Sequence, residues 1–156
     1  MAYYHAQEVD SERMYTKLFR RYQQMRRCEL VRSLIRGRID LGANETRVLD
    51  MSYGDGYGSS MVLEGLNYAL FVGLVISTQK LRTARHSLAS CQVAKRDAER
   101  FPFSAETFHT VCSLETLELL MDPDASLKEI ARVLRPGGTL FLSVPVSSSF
   151  NAAISR

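Results

Sequence analysis

An α/β domain, built on an open and mainly parallel sheet with helices on both faces, is the fold class this sequence predicts. Three observations carry that expectation. Beyond Asn44, short apolar runs alternate with helical stretches. One run, Leu70-Phe71-Val72-Gly73-Leu74-Val75, is nearly continuous in apolar residues, as a strand covered on both sides requires. The first run empties directly into a glycine-rich turn that opens a helix. Strand, helix and strand repeated at this period imply right-handed crossovers.

The elements follow in order. Residues 1–45 read as an N-terminal helical segment, 46–146 as the core and 147–156 as a tail. Met14, Leu18, Tyr22, Met25, Leu30 and Leu34 recur at helical spacing, which predicts an amphipathic helix over 11–36 serving as a lid or a packing helix. Asp10 or Ser11 can cap its start and Gly37 can stop it. Strands are expected over 46–51, 70–75, 91–95, 107–113 and 139–144, and helices over 59–66, 78–90, 114–120 and 124–134. Residues 96–106, with Pro102, read as a loop. In the last helix Leu127, Ile130, Ala131 and Leu134 share a face, Pro136 halts it, and Gly137-Gly138 turn the chain into the fifth strand.

Composition narrows the function classes. A chain of 156 residues holds one sizeable core. Its longest apolar run, 69–76, falls short of the roughly 20 residues of a membrane span. The first ten residues are polar, unlike a secretory signal, so a cytoplasmic protein with no membrane partner is expected. Cys28, Cys91 and Cys112 are far apart, with no paired spacing and no histidine cluster, so neither a metal nor a disulfide framework is expected. Residues 1–45 carry nine Lys or Arg against six Asp or Glu, while the remainder has eleven of each, which assigns the net charge of +3 to the N-terminal helix. Arg20, Arg21, Arg26, Arg27 and Arg32 read as a solvated face, and without an RNA-binding signature nucleic acid is not an expected partner.

The glycine turn carries the chemistry. Glycines after a parallel strand let a ligand approach the backbone, beyond the carboxyl ends of the strands where such sheets collect ligands. Two ligand classes compete. A dinucleotide fingerprint from Gly54 and Gly56 finds Ser59 in its third glycine position and lacks an acid after the second strand. The other pattern, a strand-end acid followed by spaced glycines, is met by Asp50.

Val48-Leu49-Asp50-Met51-Ser52-Tyr53-Gly54-Asp55-Gly56-Tyr57-Gly58 resembles V-L-D-x-G-x-G-x-G, the first motif of class I S-adenosylmethionine-dependent methyltransferases, particularly their small-molecule, type 11-like group. Ser52 stands where the first glycine belongs. Asp97-Ala98-Glu99-Arg100-Phe101-Pro102-Phe103 is similar to the family's D-A-x-x-L-P-F loop, and Phe108 to Leu120 to its F-D-x-V-x-S-x-x-x-L-E-H strand and loop. Leu127 to Leu140, through Arg135-Pro136-Gly137-Gly138, is close to the family's last helix, turn and fifth strand.

The resemblance, over 47–145, implies a Rossmann-like sheet of order 3-2-1-4-5, S-adenosylmethionine as cofactor, and methyl transfer to an acceptor whose default class is a small molecule. In the family the sheet continues as 7-6, whereas this sequence is truncated after the fifth strand. That strand would be an edge, to be covered by a partner, a second copy, the N-terminal helix or the tail. By the same resemblance Asp50, Ser52, Tyr53, Gly54 and Gly56 surround the methionine moiety, and Val75 and Ile76 flank ribose and adenine. Asp97 and Ala98 hold the adenine, and Leu114 and Glu115 close the other side. Glu115, Glu118 and His5 are the candidates for a general base. Val75 occupies the place of the acid that grips the ribose hydroxyls, and losing such bonds removes about 1.5–3 kcal/mol, on the order of ten- to a hundredfold in affinity. These departures set a second expectation beside the enzyme: an inactive methyltransferase-like module for interaction or regulation, or a fragment.

Overall fold

A computed structural model describes residues 2–38, 45–51, 53–75, 91–95 and 100–145, the side chains of 2–13, 38, 91 and 95 excepted. The expected helix over 78–90, the tail, and Ser52, Ile76, Asp97 and Ala98 lie outside the described residues. Helix α1 (Ala2–Arg38) leads to strand β1 (Arg47–Asp50), helix α2 (Tyr57–Leu63), β2 (Leu70–Val75), β3 (Cys91–Lys95) and β4 (Phe108–Leu114). A single 3-10 turn (Leu117–Leu119), helix α3 (Pro123–Val133) and β5 (Leu134–Ser143) complete it.

The five strands are all parallel and run β3-β2-β1-β4-β5, the predicted order. Chain order reverses between β1 and β4, where Asp50 lies level with Cys112. Alternate residues send their side chains to opposite sides of the sheet. Val48, Phe71, Val75, Cys112 and Phe141 meet Cys28, Val31 and Ile35 of α1 and Val62 and Leu63 of α2. Leu49, Val72, Leu74 and Val111 meet Ile130 and Val133 of α3 on the other side, together with Phe101. Each face thus has its own apolar core, as a doubly covered sheet demands.

Several local expectations change. Helix α1 runs through Asp10 and Ser11 instead of starting there. Its buried stripe is Cys28, Val31 and Ile35, while Met14, Leu18, Tyr22, Leu30 and Leu34 are exposed. Both sets have helical spacing, and packing on α2 selects between them. In α3 the buried residues are Ser126, Ile130 and Val133, whereas Leu127 and Ala131 face outward.

The helix expected over 114–120 shrinks to one turn, since β4 extends to Leu114 and Glu115 takes a left-handed φ of 53°. The turn at Pro136-Gly137-Gly138 is a bulge inside β5: Leu134 pairs with Phe108, and Thr139 already pairs with Thr110. Gly137 has φ +77°, and a Cβ on Gly138 would stand 2.8 Å from the Arg135 carbonyl oxygen. Glycine is required at both places. β5 is an edge of the sheet, as expected, and β3 is the opposite edge.

Candidate cofactor cleft at the first strand turn

The backbone leaving β1 makes a compact bend. The Met51 N–H donates to the Cys112 carbonyl at 3.0 Å and the Tyr53 N–H to that of Leu74 at 3.3 Å, so the bend is stitched to the carboxyl ends of both neighbouring strands. The Gly56 N–H then donates to the Tyr53 carbonyl at 2.9 Å. Gly54 and Gly56 have φ of 59° and 88°, conformations that side chains resist, and Gly56 is the N-cap of α2. Asp55 Oδ1 accepts from the Tyr57 N–H at 3.1 Å.

Tyr53 turns inward. Its ring lies directly over Gly73, where a Cβ would meet ring atoms at 2.5 Å, and sits 6.0 Å from the Phe71 ring. The phenol therefore packs on the sheet, and the cleft outside it stays open.

That cleft is a cavity of about 290 Å³ at the carboxyl ends of β1 and β4. Of the residues singled out from sequence, Asp50, Tyr53, Gly54 and Leu114 line it, joined by Asp55, Gly58 and Ser59 from the bend and α2. Asp50 is buried, and its carboxylate accepts a hydrogen bond from the Ser59 hydroxyl. Gln24, Arg27 and Cys28 of α1 form the remaining wall. Sequence reading missed these three because nothing local distinguishes them from the rest of the helix. A second cavity of about 470 Å³ continues outward between α1 and the end of β4, lined by Arg20, Gln23, Gln24, Arg27, Leu114, Glu115 and Pro145. Gln24, Arg27 and Leu114 belong to both cavities.

An ion pair, Arg27 to Glu115 Oε1 at 2.5 Å, ties α1 to the loop after β4 at this junction. Further along, Arg32 pairs with Glu64, Arg36 donates to the Glu64 carbonyl at 3.0 Å, and the Arg21 guanidinium lies 5.3 Å from the Tyr57 ring centroid. Helix α1 is thus held across α2 as a wall of the cleft.

Both described thiols are held toward the protonated form. Burial, reinforced by the Asp50 charge, pushes Cys112 well above the usual thiol range. Cys28 is raised chiefly by burial, against the lowering effect of Arg27.

The other sequence candidates scatter. Gly56 is buried and shapes the bend without lining either cavity. Val75 is packed in the core on the α1 side. Glu118 is exposed on the 3-10 turn and lines neither cavity, and His5 belongs to α1 with its side chain outside the described residues. His109 stands near the start of β4, at the opposite end of the sheet from the cleft. Its Nδ1 faces the Arg47 N–H at 3.2 Å and its Nε2 faces Arg135. Burial and these positive neighbours lower its pKa below 6.5.

A second device stands at the loop preceding β4. Arg132 donates to the carbonyls of Phe103 at 2.8 Å and Phe101 at 3.3 Å, while Glu129 Oε2 accepts from the Phe101 N–H at 2.9 Å. The Arg132 hydrogen bond, with that of the Phe101 N–H, holds the Glu129 carboxyl down at about 2. The pair fastens 101–103 to α3.

Comparison with known proteins settles the lineage of this architecture. The profile of the family described as "Methyltransferase domain" matches residues 49–142, from the first strand to the fifth. The chain belongs to this methyltransferase family. It is 36% identical over 96 residues to the phthiotriol/phenolphthiotriol dimycocerosates methyltransferase of Mycobacterium leprae, covering 60% of this chain and 36% of that one. It is 34% identical over 94 residues to the fatty-acid O-methyltransferase of Mycolicibacterium smegmatis, covering 59% of this chain and 34% of that one. The chain therefore spans about a third of the length of these relatives. Among solved structures, the [4+2]-cyclase SpnF superposes with a TM-score of 0.60 at 25% identity, over 72% of this chain and 43% of that one. The fold and its lineage are those of the class I S-adenosylmethionine-dependent methyltransferases.

Proposed function

We propose that this chain forms the cofactor-binding core of an S-adenosylmethionine-dependent methyltransferase whose acceptor is a small or lipid-like molecule. The observation that carries the reading is the cleft beside Asp50 and Gly54, at the point where strand order reverses. Its chemistry suits the methionyl end of the cofactor: the Asp50 and Asp55 carboxylates offer acceptors to an ammonium and a negative field to a sulfonium, and Gly54 lets the ligand reach the backbone. Glu115 neutralises Arg27, the one cation lining this cleft among the described residues, so a positive ligand is not repelled. In this proposal Ser52, Tyr53 and Gly56 shape the methionine site. Val75, Ile76, Asp97 and Ala98 flank the ribose and adenine.

Bound there, S-adenosylmethionine would supply an electrophilic methyl on a positive sulfur. The chain's own contribution is to hold donor and acceptor in line and to keep water out, with α1 as a wall common to the inner and outer cavities. Glu115 is engaged by Arg27 and Glu118 lies away from the cleft, so neither is positioned as a base. Two relatives named for lipid or fatty-acid substrates support an acceptor of that class, entering through the outer cavity. A partner subunit against the β5 edge belongs to the same proposal.

A second reading, retention of the fold for binding without transfer, draws on Val75, which packs in the core and offers no acceptor to a ribose. Calorimetric titration with S-adenosylmethionine, S-adenosylhomocysteine and NAD separates the readings. Binding of the first two but not NAD is expected. No binding of any ligand leaves the non-enzymatic module, and tight NAD binding refutes the cofactor assignment.

A further inference from the structure

Among the described residues that line the inner cleft, three are charged, and they come from two distant parts of the chain. Asp50 and Asp55 belong to the end of β1 and the bend that follows it, whereas Arg27 belongs to α1. Helix α1 lies outside the stretch 49–142 that matches the family profile. The resemblance placed only residues 50–56 around the methionine moiety, so it assigns this cation no part in the site.

The structure fixes where Arg27 stands. Cys28, the next residue, is buried in the core between α1 and the sheet. A Cβ on Gly58 of α2 would lie 3.4 Å from Gln24 Nε2 and 3.6 Å from Cys28 Sγ, so the two helices meet closely at the level of Arg27. Glu115 then engages Nη2 of the guanidinium. The backbone of Glu115 is itself held, its N–H donating to the Ser143 carbonyl at 2.9 Å. A guanidinium presents five N–H donors in a planar fork, more than one carboxylate takes up, so the pair with Glu115 leaves donors for a second.

The signs of the charges select the ligand group. Two carboxylates from one segment and one guanidinium from the other complement an amino-acid group joined to a sulfonium, which carries two positive charges and one negative. A pyrophosphate would bring its negative charges against Asp50 and Asp55, and a simple cation would leave the remaining donors of Arg27 unused. We propose that Arg27, held at the junction of the two cavities by Glu115, binds the carboxylate of the cofactor's methionyl end. The assignment rests on the cofactor reading above and completes that site from a segment outside the bend.

The test is calorimetric titration of the full chain with S-adenosylhomocysteine and with its decarboxylated analogue, which keeps the amine and lacks only the carboxylate. The parent should bind S-adenosylhomocysteine about ten- to a hundredfold more tightly, the value of hydrogen bonds between charged groups. The analogue is the more positive ligand, so the acids of the cleft alone would favour it instead. Arg27→Met should remove the preference by weakening S-adenosylhomocysteine alone, and Arg27→Lys should keep part of it, because the charge remains without the fork. Arg26→Met, the same change at the neighbouring residue that pairs with Glu29, should leave the preference intact. If the parent binds S-adenosylhomocysteine but the preference survives Arg27→Met, or both ligands weaken equally in Arg27→Met and Arg27→Lys, the cofactor site stands and the assignment of Arg27 is overturned. Binding of neither ligand by the parent sinks the cofactor reading and this assignment together.

Discussion

Gly73→Ala tests the packing on which the cleft depends. The added methyl would stand 2.5 Å from Cγ and Cδ2 of Tyr53 and 2.9 Å from its Cβ. Ordinary carbon contacts lie at about 3.5 Å or more, so the ring must retreat by about 1 Å. The backbone cannot yield easily, because the Tyr53 N–H is bonded to the Leu74 carbonyl on the very strand that bears the new methyl, and the Tyr53 carbonyl accepts from Gly56. The ring must rotate outward into the cleft or β2 must bend, and overpacking of this kind costs about 1–3 kcal/mol. Urea unfolding followed by circular dichroism measures the loss. Tyr53→Leu replaces the ring with a smaller, flexible side chain, and in that background Gly73→Ala should cost at least about 1 kcal/mol less, a coupling expected of touching residues. A ring displaced into the cleft should also weaken S-adenosylhomocysteine binding, if the proposed site holds it. A Gly73→Ala variant within about 0.5 kcal/mol of the parent, or strictly additive with Tyr53→Leu, refutes the placement of the ring.

Two pH effects follow from the same structure. Glu129 has a folded pKa of about 2 against an ordinary 4.5, so its contribution is complete above pH 4.5 and is lost as pH falls toward 2, where the unfolded chain takes up the proton first. Glu129→Gln should remove that acid-limb slope in denaturant titrations and lower stability at neutral pH by about 1 kcal/mol, the modest figure reflecting a partly exposed pair. For His109 the folded pKa is lowered below 6.5, chiefly by burial, so the folded state favours the neutral ring. Its contribution is present above pH 6.5 and declines as pH drops below that value; His109→Gln should flatten stability just below pH 6.5 without altering ligand affinity, since the ring lies at the far end of β4 from the cleft.

Much of the scaffold was legible because its causes are local. The five strands match expectation to within a residue or two, except where β5 absorbs the turn after α3. The bend from Asp50 to Gly56 follows from glycines at positive φ immediately after a strand, and the turn at Gly137 from its own positive φ after Pro136. The nearly continuous apolar run of β2 foretold a sheet covered on both sides, since that strand sends apolar residues both ways.

What chain order alone could not decide is which of several equally periodic residues meet a neighbour. Met14, Leu18 and Tyr22 have the same helical spacing as Cys28, Val31 and Ile35, yet only the latter are buried, because α2 and the sheet cover one end and one side of α1. Gln24 and Arg27 join the cleft for the same reason, and Arg27 finds Glu115 across it only when β4 and α1 are brought together. Local sequence sets conformations through steric and hydrogen-bonding preferences of adjacent residues. Burial, charge pairing and membership of a site arise from contacts between distant segments, and the folded arrangement alone supplies those.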